Sequence, residues 1–352
     1  MAEFESPYCP ECDEAFDFPA PTIGRRAFLR AAGVAGAAVA LTAAGTARAA
    51  DAPAVEAPKK ARPAEDLVRE LFATLKDDQK KKVVLPFDHG AGKDKLPTRM
   101  GMFNAPINNV RLKDVYTPAQ QDLVEKIVKS MSSGEEGFRQ ISRDGDWDAS
   151  KAFENTGAMI FGDPTPGNKF AFVFAAHHLT IRCDGDSEPG AAFGGPIYYG
   201  HSPNGYAKDN IFNYQTKSVQ EAYKALDEKQ REKATVKRGN PGENYSSVKL
   251  RKKGEDRPGI AFADLSKDQK ALIEKVMRDV LLPYRKEDVD EVMKIIKETG
   301  GMDKIQLAFY PDNSMRDTQP WHFWRLEGPG FVWNYRVLPH VHTFVNISSK
   351  LA

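Results

Sequence analysis

The sequence predicts an α+β fold in which helices flank a mostly antiparallel sheet. Stretches with helix-start signals alternate along the chain with stretches rich in β-branched and aromatic residues. Residues 326–331, LEGPGF, have the Gly and Pro content of a hairpin turn, so the strands on either side should be antiparallel neighbours. Helices on one side of such a sheet make an α+β arrangement.

The composition is that of a globular protein with no bias toward polyanionic partners. The chain has 352 residues, of which 41% are hydrophobic and 28% charged, and its formal net charge is +1. This length is sufficient for one large domain. A charge so close to zero implies neither nucleic acid nor an anionic membrane surface as a partner.

The first 49 residues resemble a twin-arginine export signal. Residues 24–30 read GRRAFLR, a run of small apolar residues follows, and residues 47–49, ARA, fit a cleavage site. The run is too short and too rich in Ala and Gly for a membrane-spanning helix, which needs about 20 strongly apolar residues. We therefore expect a periplasmic or extracellular protein with no integral membrane span in the mature chain.

Residues 50–64 are predicted to be a flexible linker, and residues 65–352 a single α+β domain. Cys9 and Cys12 form a CxxC pair, but they precede the export signal and would be removed with it. Removal of residues 1–49 takes away four basic and six acidic residues and leaves a net charge of +3. Cys183 then remains alone, so the fold is expected to depend on its hydrophobic core rather than on a disulfide.

Four short stretches of similar pattern mark helix starts. They are KDDQ at 76–79, TPAQ at 117–120, DEKQ at 227–230 and SKDQ at 266–269, and in each a Gln stands three residues after the capping position. Their uneven spacing does not fit a tandem solenoid. Helices are predicted at 65–82, 118–131, 216–233, 267–280 and 287–299.

Strands are predicted where β-branched and aromatic residues concentrate, at 157–162, 169–182, 304–310, 320–327 and 330–347. Two other segments are predicted to lie outside this framework. Residues 184–212 form a Gly- and Pro-rich loop excursion, and a loop of that length is commonly functional or mobile. Residues near 236–259 are basic and polar, as expected of a solvated insertion.

The candidate chemistry lies in the histidines, because five of the seven occur in two aromatic-rich segments. His340 and His342 are two residues apart on a predicted strand, so their side chains share a face and can bind one ion. His177 and His178 are neighbours, so only one of them should join that pair unless a bulge or strand end intervenes. The cluster predicts a divalent transition metal, with zinc, copper and iron all suited to imidazole ligands.

Glu327, which precedes the LEGPGF turn, is the candidate catalytic carboxylate. It could serve as a fourth ligand, as a general base or as the group that orients a ligand imidazole. The competing interpretation is a carboxylate that merely flanks a turn. The histidines have a structural alternative as well, because buried histidines commonly hydrogen-bond within a core.

Two classes of function are consistent with these residues. The first is an exported metal-dependent enzyme that acts on a small molecule or an envelope polymer, by hydrolysis with zinc or by oxidation with copper or iron. The second is a non-catalytic periplasmic ligand-binding or envelope-associated protein with an aromatic cleft. The aromatic residues considered for that cleft are Trp321, Trp324, Trp333 and Tyr198 or Tyr199.

Several segments together resemble a family of exported bacterial proteins known as domain of unknown function 3500. They are LPFD at 85–88, TPAQQDLVEKIVKSMSSG from 117, HHLTI from 177, GPIYYGHSP from 195, WRLEGPG from 324 and HVHTF from 340. The resemblance extends from about residue 67 to about residue 346. It implies an α+β protein with a lipoprotein or secretory leader, but no reaction. The chain departs from the family pattern at His201 and in the basic insertion.

Overall fold

The computed structural model describes residues 63–350 except 94, 238, 244, 252–254 and 312–318. Its centre is a ten-stranded, mostly antiparallel sheet accompanied by helices, which confirms the predicted α+β class. The predicted export signal, the CxxC pair and almost all of the predicted linker lie outside the described residues. Among the helices that are described, none combines the length and apolar character needed to cross a membrane.

The helices begin where the capping residues predict. Each of the four glutamines accepts a hydrogen bond from the backbone N–H of its capping residue, at 2.8–3.0 Å. The described helices are α1 (Ala64–Thr74), α2 (Asp77–Val83), α3 (Leu112–Val115), α4 (Pro118–Ser130), α5 (Gly134–Ser142), α6 (Asn213–Ala225), α7 (Glu228–Ala234), α8 (Lys267–Leu281) and α9 (Lys286–Glu298). The helices predicted at 65–82 and 216–233 are each two helices, because the caps at Lys76 and Asp227 start new ones.

The strands form one sheet in the order β1-β2-β3-β4-β5-β10-β9-β8-β7-β6. They are β1 (Val84–Leu85), β2 (Gly157–Gly162), β3 (Phe170–Ala176), β4 (Leu179–Cys183), β5 (Ile197–His201), β6 (Ile260–Ala261), β7 (Gln306–Tyr310), β8 (Phe323–Gly328), β9 (Phe331–Arg336) and β10 (Val341–Ile347). Every neighbouring pair is antiparallel except β1 and β2. The LEGPGF turn joins β8 and β9 as predicted.

The strand predicted at 330–347 is two antiparallel strands, β9 and β10, and His340 lies just before β10 rather than within a strand. The strand predicted at 169–182 is also a hairpin in the structure. Ala176 on β3 pairs with Leu179 on β4, so His177 and His178 are the two residues of the turn. His178 has a φ of 55°, a conformation that reverses the chain and is uncommon for residues other than glycine. The opposite-face argument for the two histidines therefore does not apply, because it assumed that both lie within a continuous strand.

Two predicted irregular segments contain ordered structure. Residues 184–212 include β5, which lies between β4 and β10 and joins the two parts of the sheet. In the predicted basic insertion, Val248 and Leu250 are buried against Val332 and Phe344 of the sheet. The insertion thus covers part of one sheet face instead of being wholly solvated.

The element order repeats once along the chain. The N-terminal half (residues 64–201) has two helices, a short strand, further helices and then four strands, and the C-terminal half (residues 213–347) has the same succession. The sheet order places five strands of each half side by side, with β5 and β10 meeting at the centre. Paired side-chain amides recur as well: Gln79 bonds Gln120 at 2.7 Å, and Gln230 bonds Gln269 at 2.6 Å.

The two faces of the sheet differ in what covers them. On one face Tyr199 and Tyr335 reach the helices, because their hydroxyls lie 2.8 Å from Val280 O and Thr216 Oγ1. On the other face Tyr198, Val332 and Phe344 pack against Leu96, Met102, Val248 and Leu250 from irregular segments. Strand alternation directs Arg325, Asn334, Arg336 and His342 toward this second face, where they are buried.

Candidate metal centre

Three imidazoles converge at the junction between the two halves. The Nε2 atoms of His340 and His342 are 2.9 Å apart, and that of His178 lies 3.2 Å and 3.0 Å from them. All three residues are buried: His178 is 0% exposed, His340 is 3% exposed and His342 is 2% exposed. The structure thus brings together three of the four predicted histidine ligands.

The hairpin turn fixes the position of His178 through its backbone. The His178 N–H donates to Asn104 Oδ1 at 2.7 Å, and its carbonyl accepts a hydrogen bond from the buried guanidinium of Arg143. Arg143 also donates to the carbonyl of Gly200 on β5. One buried arginine therefore ties the histidine turn to the neighbouring strand.

Glycine at position 200 allows the imidazoles to approach each other across β5. Gly200 pairs with His342 in the sheet register. A Cβ at Gly200 would lie 3.0 Å from His342 Cδ2, 3.3 Å from His178 Cγ and 2.4 Å from the Val341 carbonyl oxygen. Because a contact of 2.4 Å cannot be accommodated beside a backbone atom, any larger residue at position 200 would separate the ligands.

A carboxylate lies beside the Nδ1 atom of His178 and another beside that of His342, on the side of each ring away from the converging Nε2 atoms. These carboxylates determine which ring nitrogen carries the proton. Asp148 Oδ2 lies 2.9 Å from His178 Nδ1, and Glu243 Oε1 lies 3.2 Å from His342 Nδ1. An ionised carboxylate only accepts hydrogen bonds, so Asp148 places the proton of His178 on Nδ1 and leaves its Nε2 with a lone pair. Burial raises the pKa of Glu243 and the Arg336 guanidinium opposes that rise, and an ionised Glu243 selects the same tautomer of His342. Arg336 Nη2, a donor only, lies 3.2 Å and 3.0 Å from the Nε2 atoms of His340 and His342, which assigns the same tautomer to His340.

Burial keeps these imidazoles in the neutral form that binds metals. It lowers the pKa of His178 and of His342 well below the ordinary value, and burial together with the Arg336 charge lowers the pKa of His340 to about 4. Burial alone would raise the pKa of Asp148, but hydrogen bonds from His177 and His178 outweigh it and lower the pKa. Asp148 is therefore ionised at neutral pH.

The spacing of the three nitrogens fits a first-row metal ion. With Nε2 atoms 2.9–3.2 Å apart, a point about 2.1 Å from all three exists about 1 Å out of their plane. Arg336 Nη2 faces two of these lone pairs, and a metal ion at that point would be bound by all three. The group His178, His340 and His342 could thus hold a metal ion.

His177 belongs to a second, overlapping group with Asp148 and His178. Its Nδ1 is 3.4 Å from Asp148 Oδ1, its ring centroid is 3.8 Å from that of His178, and its side chain is 15% exposed. Asp148 also accepts hydrogen bonds from the N–H and the hydroxyl of Ser202. With its oxygens so engaged, Asp148 is better placed to orient both histidines than to bind an ion.

Glu327, the predicted catalytic carboxylate, lies away from the three histidines. It projects to the same sheet face, but the register aligns it with Val332 and Asn346, four residues along β10 from His342, which is about 13 Å. Its carboxylate is buried 2.8 Å from Arg325 Nε and 3.2 Å from Arg251 Nε. Among the described residues, Asp148 and Glu243 are carboxylates that do contact these histidines.

The aromatic residues considered for a ligand cleft lie in the core. None of Trp321, Trp324, Trp333, Tyr198 and Tyr199 is more than 2% exposed. Tyr198 packs its ring edge-on to His342 at a centroid distance of 5.5 Å. Tyr198 thus packs against the histidines, the other four rings belong to the main core, and none of the five lines an open cleft.

Sequence reasoning missed the charged residues around the histidines. Asp148 lies in DGDWDAS and Glu243 in the predicted insertion, and neither stands in a recognisable spacing with a histidine. Arg143 and Arg336 were missed for the same reason. Arg336, six residues before His342, carried one usable signal, because a hairpin register would have placed it opposite that histidine.

Comparison with known proteins places the chain in a family without assigning it a reaction. The model of a family described as "Protein of unknown function (DUF3500)" matches residues 58–348. No curated protein and no solved structure matches the chain. The geometry of the site is therefore the ground on which a function can be argued.

Proposed function

This chain belongs to the DUF3500 family, whose function is unknown, and we propose that it is an exported metal-dependent enzyme. His178, His340 and His342 bind one divalent transition metal ion through their Nε2 atoms. The observation that carries the proposal is the convergence of three unprotonated, buried imidazole nitrogens within 2.9–3.2 Å of one another. A core built only for packing would not be expected to hold three lone pairs in that arrangement.

The described part of the chain supplies three histidine ligands, a number that suits a catalytic role better than a structural one. Structural zinc sites are closed by four protein ligands, whereas catalytic sites keep a position for water or substrate. An ion in this site would act as a Lewis acid and lower the pKa of bound water toward ~7 if it is zinc, or support oxidation if it is copper or iron. The substrate is a small molecule or a component of an envelope polymer.

The surrounding residues have distinct supporting roles. Asp148 and Glu243 hold the Nδ1 protons of His178 and His342, which orients the rings and makes their Nε2 atoms better ligands. His177 packs on the ring of His178 at a centroid distance of 3.8 Å and contacts Asp148, so it helps to hold that ring and carboxylate in place. A ligand role for His177 is less well supported because its Nδ1 faces Asp148, and a catalytic role for Glu327 because its carboxylate pairs with Arg325 and Arg251.

Elemental analysis tests this proposal directly. Protein recovered from the periplasmic or extracellular fraction of its native host should contain about one transition metal ion per chain. A His340→Ala/His342→Ala double variant should contain none. His201→Ala is the matched control, because His201 accepts a hydrogen bond from the Ile211 N–H at 3.0 Å and lies outside both histidine groups.

The same preparation tests separately where the metal binds, which element it is and whether the protein is exported. Equal metal content in the wild type and the double variant would exclude this site as the metal centre. Metal in the wild type alone would support it, and the element found would distinguish hydrolytic from oxidative chemistry. Recovery of the protein only from the cytoplasm would contradict export.

A further inference from the structure

Six polar side chains lie on the buried sheet face that carries His342, because strand alternation directs all of them there. They are Arg325 and Glu327 on β8, Asn334 and Arg336 on β9, and His342 and Asn346 on β10. Buried polar groups need hydrogen-bond partners. For each of the six, a partner comes from one short stretch of the chain, residues 240–243 and 245–251, which we call the strap.

The strap contacts this face at both ends and in the middle. In the middle, its carbonyls accept hydrogen bonds from sheet side chains: Ser247 from Arg325 and from Asn334 Nδ2 at 3.1 Å, and Val248 from Asn346 Nδ2 at 2.9 Å. At one end Glu243 lies 3.2 Å from His342 Nδ1 and 2.8 Å from Arg336 Nη1. At the other end Arg251 Nε lies 3.2 Å from Glu327 Oε1.

The chain leaves the sheet before the strap and rejoins it afterwards at nearly one place. The Val236 N–H donates to the carbonyl of Phe309 at 2.8 Å, and Ile260 pairs with Leu307. These two attachment points are two residues apart on β7. A loop whose ends lie this close can move away from a sheet without any change in strand pairing.

Most of the contacts that hold the strap are of a kind that water can replace. A hydrogen bond inside a protein adds little net free energy, because the separated groups bond to water. Val248 and Leu250 add a small apolar contact with Tyr198, Val332 and Phe344. Lifting the strap should therefore require much less free energy than unfolding the protein.

We propose that the strap is a hinged cover of the histidine cluster, which lifts to admit the metal ion and places Glu243 on His342 when it closes. The use of the cover by an ion rests on the proposed function, whereas the cover itself does not. His340 and His342 are 3% and 2% exposed with the strap closed, so a reagent or an ion reaches them at a rate that depends on opening.

The first test measures how fast diethyl pyrocarbonate, which modifies accessible imidazoles, reacts with His340 and His342 in metal-free protein. Mass spectrometry of the peptides gives the two rates. Val248→Ala removes part of the apolar contact of the strap and should raise both rates about tenfold, because it favours the open state. Val276→Ala is the matched control: it makes the same change at a buried residue of α8, which belongs to the helical layer, and should leave the rates unchanged.

Arg251→Gln provides a second variant, at a side chain that is 36% exposed and thus unlike a core residue. Loss of its ion pair with Glu327 should raise the two rates about two- to fivefold. Rates equal to those of the wild type in both Val248→Ala and Arg251→Gln would overturn the cover. A rise in Val276→Ala as large as that in Val248→Ala would overturn it too, because unfolding of the whole protein would then explain the reaction.

The second test uses protein loaded with cobalt(II) and measures release of the ion to a chelator. Val248→Ala should release cobalt(II) about tenfold faster than the wild type or Val276→Ala, as in the first test. A wild-type protein that binds no cobalt(II) overturns the proposed function and the passage of an ion, while the rates of modification still decide the cover. Faster modification with unchanged release of cobalt(II) leaves the cover standing and overturns its role in admitting the ion.

Discussion

Asp148 shows how much a single residue contributes to the centre. Its carboxylate contacts the Nδ1 atoms of His177 and His178 and is anchored by the Ser202 N–H at 3.0 Å. Because the carboxylate accepts and never donates, it leaves only one tautomer of His178 favourable. The residue therefore selects the nitrogen that faces the other two histidines.

We predict that Asp148→Asn weakens metal binding about ten- to one-hundred-fold, because an amide removes the charge and can turn a donor toward His178 Nδ1. Affinity is measured by competition with a chelator of known strength. Asp146→Asn, at an exposed residue of the same loop, is the control and should bind as the wild type does. Unchanged affinity in Asp148→Asn would show that this carboxylate does not orient a ligand.

At this scale the sequence indicated the clustered histidines better than the charged residues around them. The histidines could be predicted because there are only seven, and because the spacing of His340 and His342 has a geometric meaning on a strand. The carboxylates could not, since the chain has 49 acidic residues and the two at the centre come from remote segments. Glu327 was chosen for its proximity in sequence to a turn, and the structure pairs it with arginines instead.

The β3–β4 hairpin is the element that brings the N-terminal half to the site. Its counterpart in the repeat is the β8–β9 hairpin, whose turn consists of Pro329 and Gly330. The second turn residue has a positive φ in both hairpins, 55° at His178 and 83° at Gly330. A side chain at such a position is unfavourable, so a histidine where the repeat has glycine indicates that the imidazole is required there.

We predict that, in the absence of metal, His178→Gly is more stable than His178→Ala by about 1 kcal/mol, because only glycine adopts a positive φ without penalty. At His177, whose φ is not positive, the order should reverse, with Ala more stable than Gly. Urea denaturation of the four variants measures the free energies of unfolding. The same order at both positions would contradict the turn geometry.

Elements with local signals were predicted well, and those defined by long-range pairing were not. The capping residues gave the starts of four helices because the hydrogen bonds involved join residues three apart. The β3–β4 turn was missed because the apolar run continues through it without glycine or proline. Strand β5 was missed because one of its two neighbours in the sheet, β10, is distant from it in sequence.

The repeat explains where the centre lies in the whole molecule. The two halves meet where β5 pairs with β10, and His178 from one half faces His340 and His342 from the other across this boundary. An ion bound by all three would join segments about 160 residues apart in the chain. Such a link is expected to stabilise the folded state, because the ligands are not assembled in the unfolded chain.

We predict that removal of the metal lowers the melting temperature by several degrees. An ion present at about 1,000 times its dissociation constant stabilises the fold by about 4 kcal/mol. Differential scanning calorimetry with and without a chelator measures the shift. The His340→Ala/His342→Ala variant is the control and should not respond to chelation, and a wild-type protein that melts identically in both conditions would contradict a stabilising ion.

The position of β10 in the sheet has a consequence for the order in which the centre assembles. β10 follows all other described strands in the chain, yet it lies in the middle of the sheet between β5 and β9. His342 can therefore face His178 only when β10 pairs with β5, a contact between residues that are distant in the chain. A chain without a paired β10 lacks the full set of histidines, so if the centre binds an ion, the metal supply of the compartment in which folding ends would decide which element is taken up.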